Sequence, residues 1–132
     1  MRPLKILALA MVLLLSVGAI AVHAMRRQDQ ALAKAAALTG GDPAQGPALM
    51  VRYGCAGCHE TRGVRGPGGR VGPPLNTLAD RVYIGGVATN TPENLVHWIV
   101  NPKDFSPKTA MPVTGISEAE ARHVAAYLLA LR

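Results

Sequence analysis

Cys55-Ala56-Gly57-Cys58-His59 places both cysteines of a 132-residue chain within four positions, with a histidine directly after the second. Three chemistries use paired thiols at this spacing. The pair can cycle between dithiol and disulfide, or supply half of a tetrahedral zinc site. Alternatively the two thiols can add to the vinyl groups of a porphyrin while the neighbouring imidazole binds its iron.

The surrounding sequence discriminates among these. A thioredoxin-like catalyst is built on a βαβ sheet, and the chain shows no run that reads as a strand. A structural zinc site needs four ligands, and the chain has no second cysteine pair. Haem attachment needs two thiols and an adjacent imidazole, all of which are present. A disulfide between Cys55 and Cys58 would close only a tiny loop and could not staple a fold.

A staple is nonetheless required. Hydrophobic residues make up 49% of the chain but aromatics only 4%, and much of the apolar content lies in the first two dozen residues. The remainder is a Gly/Pro-rich stretch with few large core side chains, and a domain this lean depends on a disulfide, metal or cofactor. A covalent haem serves as staple and core filler together. The net charge of +6 is uneven: residues 1–41 carry five basic groups and one acidic, residues 42–132 nine and seven. The positive excess belongs mainly to the amino-terminal segment, as the flanks of a membrane helix would give. It lends no support to nucleic acid as a partner.

Residues 6–22 are seventeen in a row without a charge, preceded by Arg2 and Lys5 and followed by Arg26 and Arg27. The apolar stretch of a signal peptide runs about 7–15 residues and a spanning helix about 17–25. Length therefore predicts a transmembrane anchor over 1–24, touching the membrane through residues 6–22. Val22-His23-Ala24 keeps open the alternative of a signal sequence. Basic residues on both flanks leave orientation undecided by charge. Either way the following domain is directed out of the cytoplasm. Residues 25–41, Ala/Gln-rich and ending in Gly40-Gly41, read as a helical or flexible linker, and residues 42–132 as the globular domain.

Within that domain Asp42-Pro43 predicts a helix start, with the regular helix beginning at Gly46 and stopping at Gly54. Glycines and prolines predict loop from Glu60 to Asn90, relieved by a helical turn within residues 75–81. Thr91-Pro92 opens a second helix that must end before Pro102. Ser117 with Glu120 forms a capping box for a third, whose Ala121, Val124, Ala125, Leu128 and Leu131 share one face. The fold class is all-α.

On these residues the chain resembles the class I c-type cytochromes, and a second motif extends the resemblance. Asn101, Pro102, Pro107, Thr109 and Met111 match that family's N-P-x-x-x-x-P-x-T-x-M segment without insertion or deletion. The resemblance implies three main helices around one covalent haem c, attached through Cys55 and Cys58, with iron ligated by His59 and Met111. A His/Met pair raises the reduction potential and suits carriers. "VGPPL" resembles the family's G-P-x-L segment, where a proline carbonyl orients the proximal imidazole; Pro73 takes that role. Arg81 falls where the family often has an arginine near a haem propionate, and Asn101 and Thr109 where it has hydrogen-bonding groups around propionate and ligand loop. Trp98 stands where relatives often put a tyrosine. Its indole N–H requires a partner, expected to be a propionate or a water, with a bond to the methionine sulfur left open. Gly46 and Tyr127 fit the tight crossing of first and last helices. Met50 reads as core, His97 as a surface or helix-end residue, and His123 as solvated.

The resemblance implies a one-electron carrier, membrane-anchored in the bacterial inner membrane with its haem domain in the periplasm. Its expected partners are a quinol-oxidising complex as donor and a terminal oxidase as acceptor. Arg62, Arg65, Arg70, Lys103 and Lys108 suit docking to acidic surfaces. A bound haem subunit of a respiratory or dehydrogenase complex is the alternative, followed by a haem enzyme with an open sixth position.

Overall fold

Caps and prolines stand at the element starts in the computed structural model, which describes residues 2–131. Two compact units part between Gln30 and Ala31. The first is helical over all its described residues. Helix α1 (Arg2–Thr39) begins in it. Over Pro3–Thr39 it is long and apolar enough to cross a membrane, a criterion that an N-terminal signal sequence also meets.

The second unit holds everything from Ala31 onward. The expected linker over 25–41 is thus helical through Thr39, and its second half lies in the same unit as the globular domain. Ala35 and Thr39 are buried. Arg122 Nη1 donates to the Thr39 carbonyl at 2.9 Å, and Gly41 N–H donates to Thr39 Oγ1 at 3.1 Å. The linker is tied at its end because its last helical carbonyl, which has no intrahelical partner, accepts from a side chain of another helix.

Asp42 accepts from Ala44 N–H and caps a 3₁₀ turn, Pro43–Gln45, that feeds α2 (Gly46–Arg52). Thr91 caps α3 (Pro92–Val100) by accepting from Asn94 N–H. Ser117 and Glu120 complete both halves of the capping box of α4 (Glu118–Ala130). Short 3₁₀ turns at Cys55–Gly57, Leu78–Asp80 and Pro102–Asp104 make the corners between them. Helix α4 packs against both α2 and α3. Met50, Leu95, Ile99, Val124 and Leu128 form the centre of the buried cluster.

One element was not expected. Strands β1 (Tyr83–Ile84) and β2 (Ala88–Thr89) pair antiparallel, Tyr83 opposite Thr89 and Ile84 opposite Ala88. Gly85 and Gly86 both have positive φ, +56° and +75°. Two consecutive positive-φ residues make the hairpin turn whose twist matches the flanking strands. The Gly-Gly pair between β-branched and aromatic residues was the sequence signal for it.

Helices α2 and α4 are also joined by polar contacts. Tyr53 Oη donates to Glu120 Oε2 at 2.8 Å, and Arg52 Nη1 donates to Oε1 at 3.2 Å. Hydrogen bonds from Ser117 and Tyr53 hold the Glu120 carboxyl below its ordinary 4.5. A carboxyl depressed on folding contributes stability that is complete above its unfolded value and is lost as pH falls through the folded one. Thermal unfolding followed against pH is expected to be level above about pH 4.5 as far as this group is concerned, and to weaken below. Glu120→Gln should lower the melting temperature at neutral pH and shrink that acid limb. An unchanged acid limb in the variant would assign it to other carboxyls.

Candidate functional site

The 3₁₀ turn Cys55–Gly57 follows α2 directly, and Cys58 and His59 N–H groups donate back to the Cys55 carbonyl. This compact turn sets both thiols and the imidazole at the edge of one cavity of about 290 Å³. Its walls are mostly apolar, with Leu75, Leu78, Ile84, Leu95, Ile99 and Leu128 among them. Both thiols are free and partly buried. Burial pushes the Cys55 thiol above its ordinary pKa, the reverse of the depression a thiol–disulfide catalyst needs. Among the described residues no three His, Cys, Asp or Glu side chains cluster to hold a metal ion, so the zinc chemistry finds no donor set.

His59 is held by its second nitrogen. Nδ1 lies 2.8 Å from the Pro73 carbonyl oxygen. A carbonyl can only accept, so Nδ1 carries the proton, and in the neutral imidazole Nε2 then keeps the lone pair. Gly72 N–H donates to the Cys58 carbonyl and Leu75 N–H to the Glu60 carbonyl, both at 2.8 Å, which pins residues 72–75 alongside residues 58–60. The approach is close enough to require glycine: a Cβ on Gly72 would lie 2.2 Å from His59 Cε1. The "VGPPL" motif marks Pro73 by its carbonyl; Gly72 matters by what it lacks.

Met111 enters the same cavity from the loop after α3. That loop is braced locally. Asn101 ends α3 and its Nδ2 donates to Asp104 Oδ1 at 2.7 Å; Met111 N–H donates to Thr109 Oγ1 at 3.2 Å. His97 Nε2 meets Asp104 Oδ2 at 2.7 Å, at the carboxyl end of α3. Trp98 Nε1–H donates to Met111 Sδ at 3.1 Å. The bond from the indole to the methionine sulfur, left open by the sequence, is thus made. Arg81 lines the cavity and its Nη2 donates to the Pro74 carbonyl, which uses one of five guanidinium donors.

Met50 also faces the cavity but is fully buried in the core. His123, expected in solvent, is partly buried, and its Nδ1 accepts from Asp42 N–H at 2.7 Å. Spacing along α4 says nothing of a residue 81 positions away, which is why that contact was not foreseen. Gly46 meets Tyr127 at the α2–α4 crossing, where a Cβ would stand 2.3 Å from Tyr127 Cβ.

The residues present fit a haem. Two thiols stand next to an imidazole whose outer nitrogen is already satisfied, and a thioether sulfur faces the same apolar space. Apolar walls suit a macrocycle, and imidazole and thioether are side chains of the kind that can bind its iron. The family model described as Cytochrome c matches residues 43–132. No curated protein matches the chain. A match over that much of the sequence accounts for the paired thiols and the histidine beside them as the attachment site of a covalently bound haem c, and the chain belongs to the cytochrome c family of electron-transfer proteins.

Proposed function

We propose that this protein is a membrane-anchored one-electron carrier in which His59 and Met111 are the two axial ligands of the haem iron. The observation that carries it is the bond from His59 Nδ1–H to Pro73 O, which leaves Nε2 free beside a cavity that Met111 also lines. Haem c, when bound, supplies an iron that gains and loses one electron.

The chain's own groups do the rest. Pro73 keeps the imidazole in one tautomer and orientation. Thr109 and the Asn101–Asp104 contact hold the ligand loop in one shape. Leu78, Ile84, Leu95 and Ile99 keep water out, so little reorganises when the charge changes. Arg81 keeps guanidinium donors for a cofactor carboxylate, and Asn101 and Thr109 stand by the same loop.

The long apolar helix supports anchoring in the bacterial inner membrane through residues 6–22, with the haem domain in the periplasm, where covalent attachment occurs. Exposed Arg65, Arg70, Lys103 and Lys108 suit acidic docking faces. A quinol-oxidising complex as donor and a terminal oxidase as acceptor fit such a carrier.

Absorption spectra before and after dithionite, with a pyridine haemochrome assay, test the cofactor. Met111→Ala tests the ligand. The variant is expected to keep covalent haem, to bind carbon monoxide when reduced, and to lose on the order of 100 mV of reduction potential, at about 59 mV per tenfold change for one electron. A variant with the wild-type spectrum and potential removes Met111 from the coordination sphere. Recovery of the holoprotein in the soluble periplasmic fraction, cut after Ala24, would remove the anchor.

A further inference from the structure

We propose that the hairpin over residues 82–90 is a clamp that presses the Trp98 indole onto the Met111 sulfur, with Gly85 as the positioning residue. The proposal rests on Met111 being an axial ligand, as argued above.

The hairpin is fixed at both ends. At its base Asn90 Nδ2 donates to the Leu78 and Arg81 carbonyls at 2.8 and 3.0 Å, and Asn90 N–H donates to the Val82 carbonyl at 2.9 Å. On its inner face Ile84 and Ala88 are buried. Its turn comes down on the indole: a Cβ on Gly85 would lie 2.5 Å from Trp98 Cη2 and 2.9 Å from Cζ2. Phe105 flanks the ring from the ligand loop, centroids 6.0 Å apart. The indole thus has little room to tilt, and its N–H stays aimed at the sulfur.

A thioether sulfur is a weak acceptor, and a donor held against it withdraws electron density from the lone pair left for a metal. Weaker donation disfavours the ferric state more than the ferrous, so the bond raises the reduction potential. Unlike a phenol, the indole N–H is a donor only and has no ionised form at ordinary pH, so its effect persists across the working range. Gly85 sets the pressure because any side chain there must displace the ring.

Gly86 supplies the control. It shares the positive φ, +75° against +56°, but a Cβ there meets nothing within 4 Å. Gly85→Ala and Gly86→Ala therefore carry comparable backbone strain, and only the first touches the indole. The chain has one tryptophan, so the indole N–H gives a single assignable resonance in the diamagnetic ferrous holoprotein.

Three holoproteins are compared with wild type. Trp98→Phe is expected to shift the reduction equilibrium roughly three- to fivefold toward the ferric form, about 30–40 mV at 59 mV per tenfold change. Gly85→Ala should shift it the same way, move the indole N–H resonance, and speed its hydrogen exchange. Gly86→Ala should match wild type in all three readouts. Identical behaviour of the two alanine variants overturns the clamp, and so does a wild-type potential in Trp98→Phe. Should Gly85→Ala fail to fold, Trp98→Phe decides. Met111→Ala separates the two levels: if it keeps the wild-type spectrum the ligand reading has failed, whereas a changed spectrum with equivalent Gly85→Ala and Gly86→Ala proteins sinks the clamp alone.

Discussion

Gly46→Val is expected to destabilise the holoprotein by about 3 kcal/mol or more, the upper end of what overpacking costs. A Cβ at this position would stand 2.3 Å from Tyr127 Cβ, 2.9 Å from its Cγ and 3.1 Å from the His123 carbonyl oxygen. Carbon atoms pack best at about 3.5–4.0 Å, so α2 and α4 must separate by more than an ångström. The ring cannot swing clear, because Tyr127 Oη donates to the Arg62 carbonyl. Separation would open the buried cluster that Met50 on α2 shares with Ala121, Val124 and Ala125 on α4. Against a total of about 5–15 kcal/mol, one added isopropyl group removes between about a fifth and three fifths of the stability. Equilibrium urea unfolding of wild type and variant measures it, with Gly46→Ala as the milder step. A Gly46→Val protein within 1 kcal/mol of wild type by the same extrapolation would show that the crossing is not tight.

Cys55→Ser with Cys58→Ser is expected to have the larger effect on the whole molecule: a colourless chain without fixed tertiary structure. With no thiol to hold it, haem is no longer covalent, and a cavity of about 290 Å³ must collapse or fill with water. Leu78, Ile84, Leu95 and Ile99 then line water instead of a macrocycle. Near-UV circular dichroism and limited proteolysis after export in a host that matures c-type cytochromes check the outcome. A double variant with native near-UV signal and native protease resistance would show that the protein core alone sustains the fold. Single serine variants should keep one thioether and an intermediate stability.

Both predictions rest on features of different visibility. The two cysteines, the histidine and the methionine loop act through their types and spacing, and each motif is local. The haem pocket's need for a filler was visible too, in a domain with so few aromatic residues. Helix starts were equally legible: Asp42, Thr91 and Ser117 cap through side-chain oxygens that reach only two or three residues along the chain, so the sequence window contains both partners.

The contacts that were not foreseen share one cause. Trp98 met Met111, His123 met Asp42, and Gly85 met the Trp98 ring. In each case the partner lies 13 to 81 positions away or beyond a turn, and identity alone does not say which groups a fold brings together. The 25–41 linker read as helical or flexible from its composition; it is helical through Thr39, whose carbonyl accepts from Arg122 on α4. Composition describes what a segment can do unbound and is silent on a distant donor.

By itself, then, the order of residues determined the helical class, the caps and the covalent chemistry at residues 55–59, because those depend on neighbours within a turn or two. Only the tertiary structure decided that Gly72 must lack a side chain for His59 to turn its Nδ1 to Pro73, and that a small hairpin bears on the indole beside Met111. Those are consequences of surfaces meeting at van der Waals distance, a condition that exists only once the helices have packed.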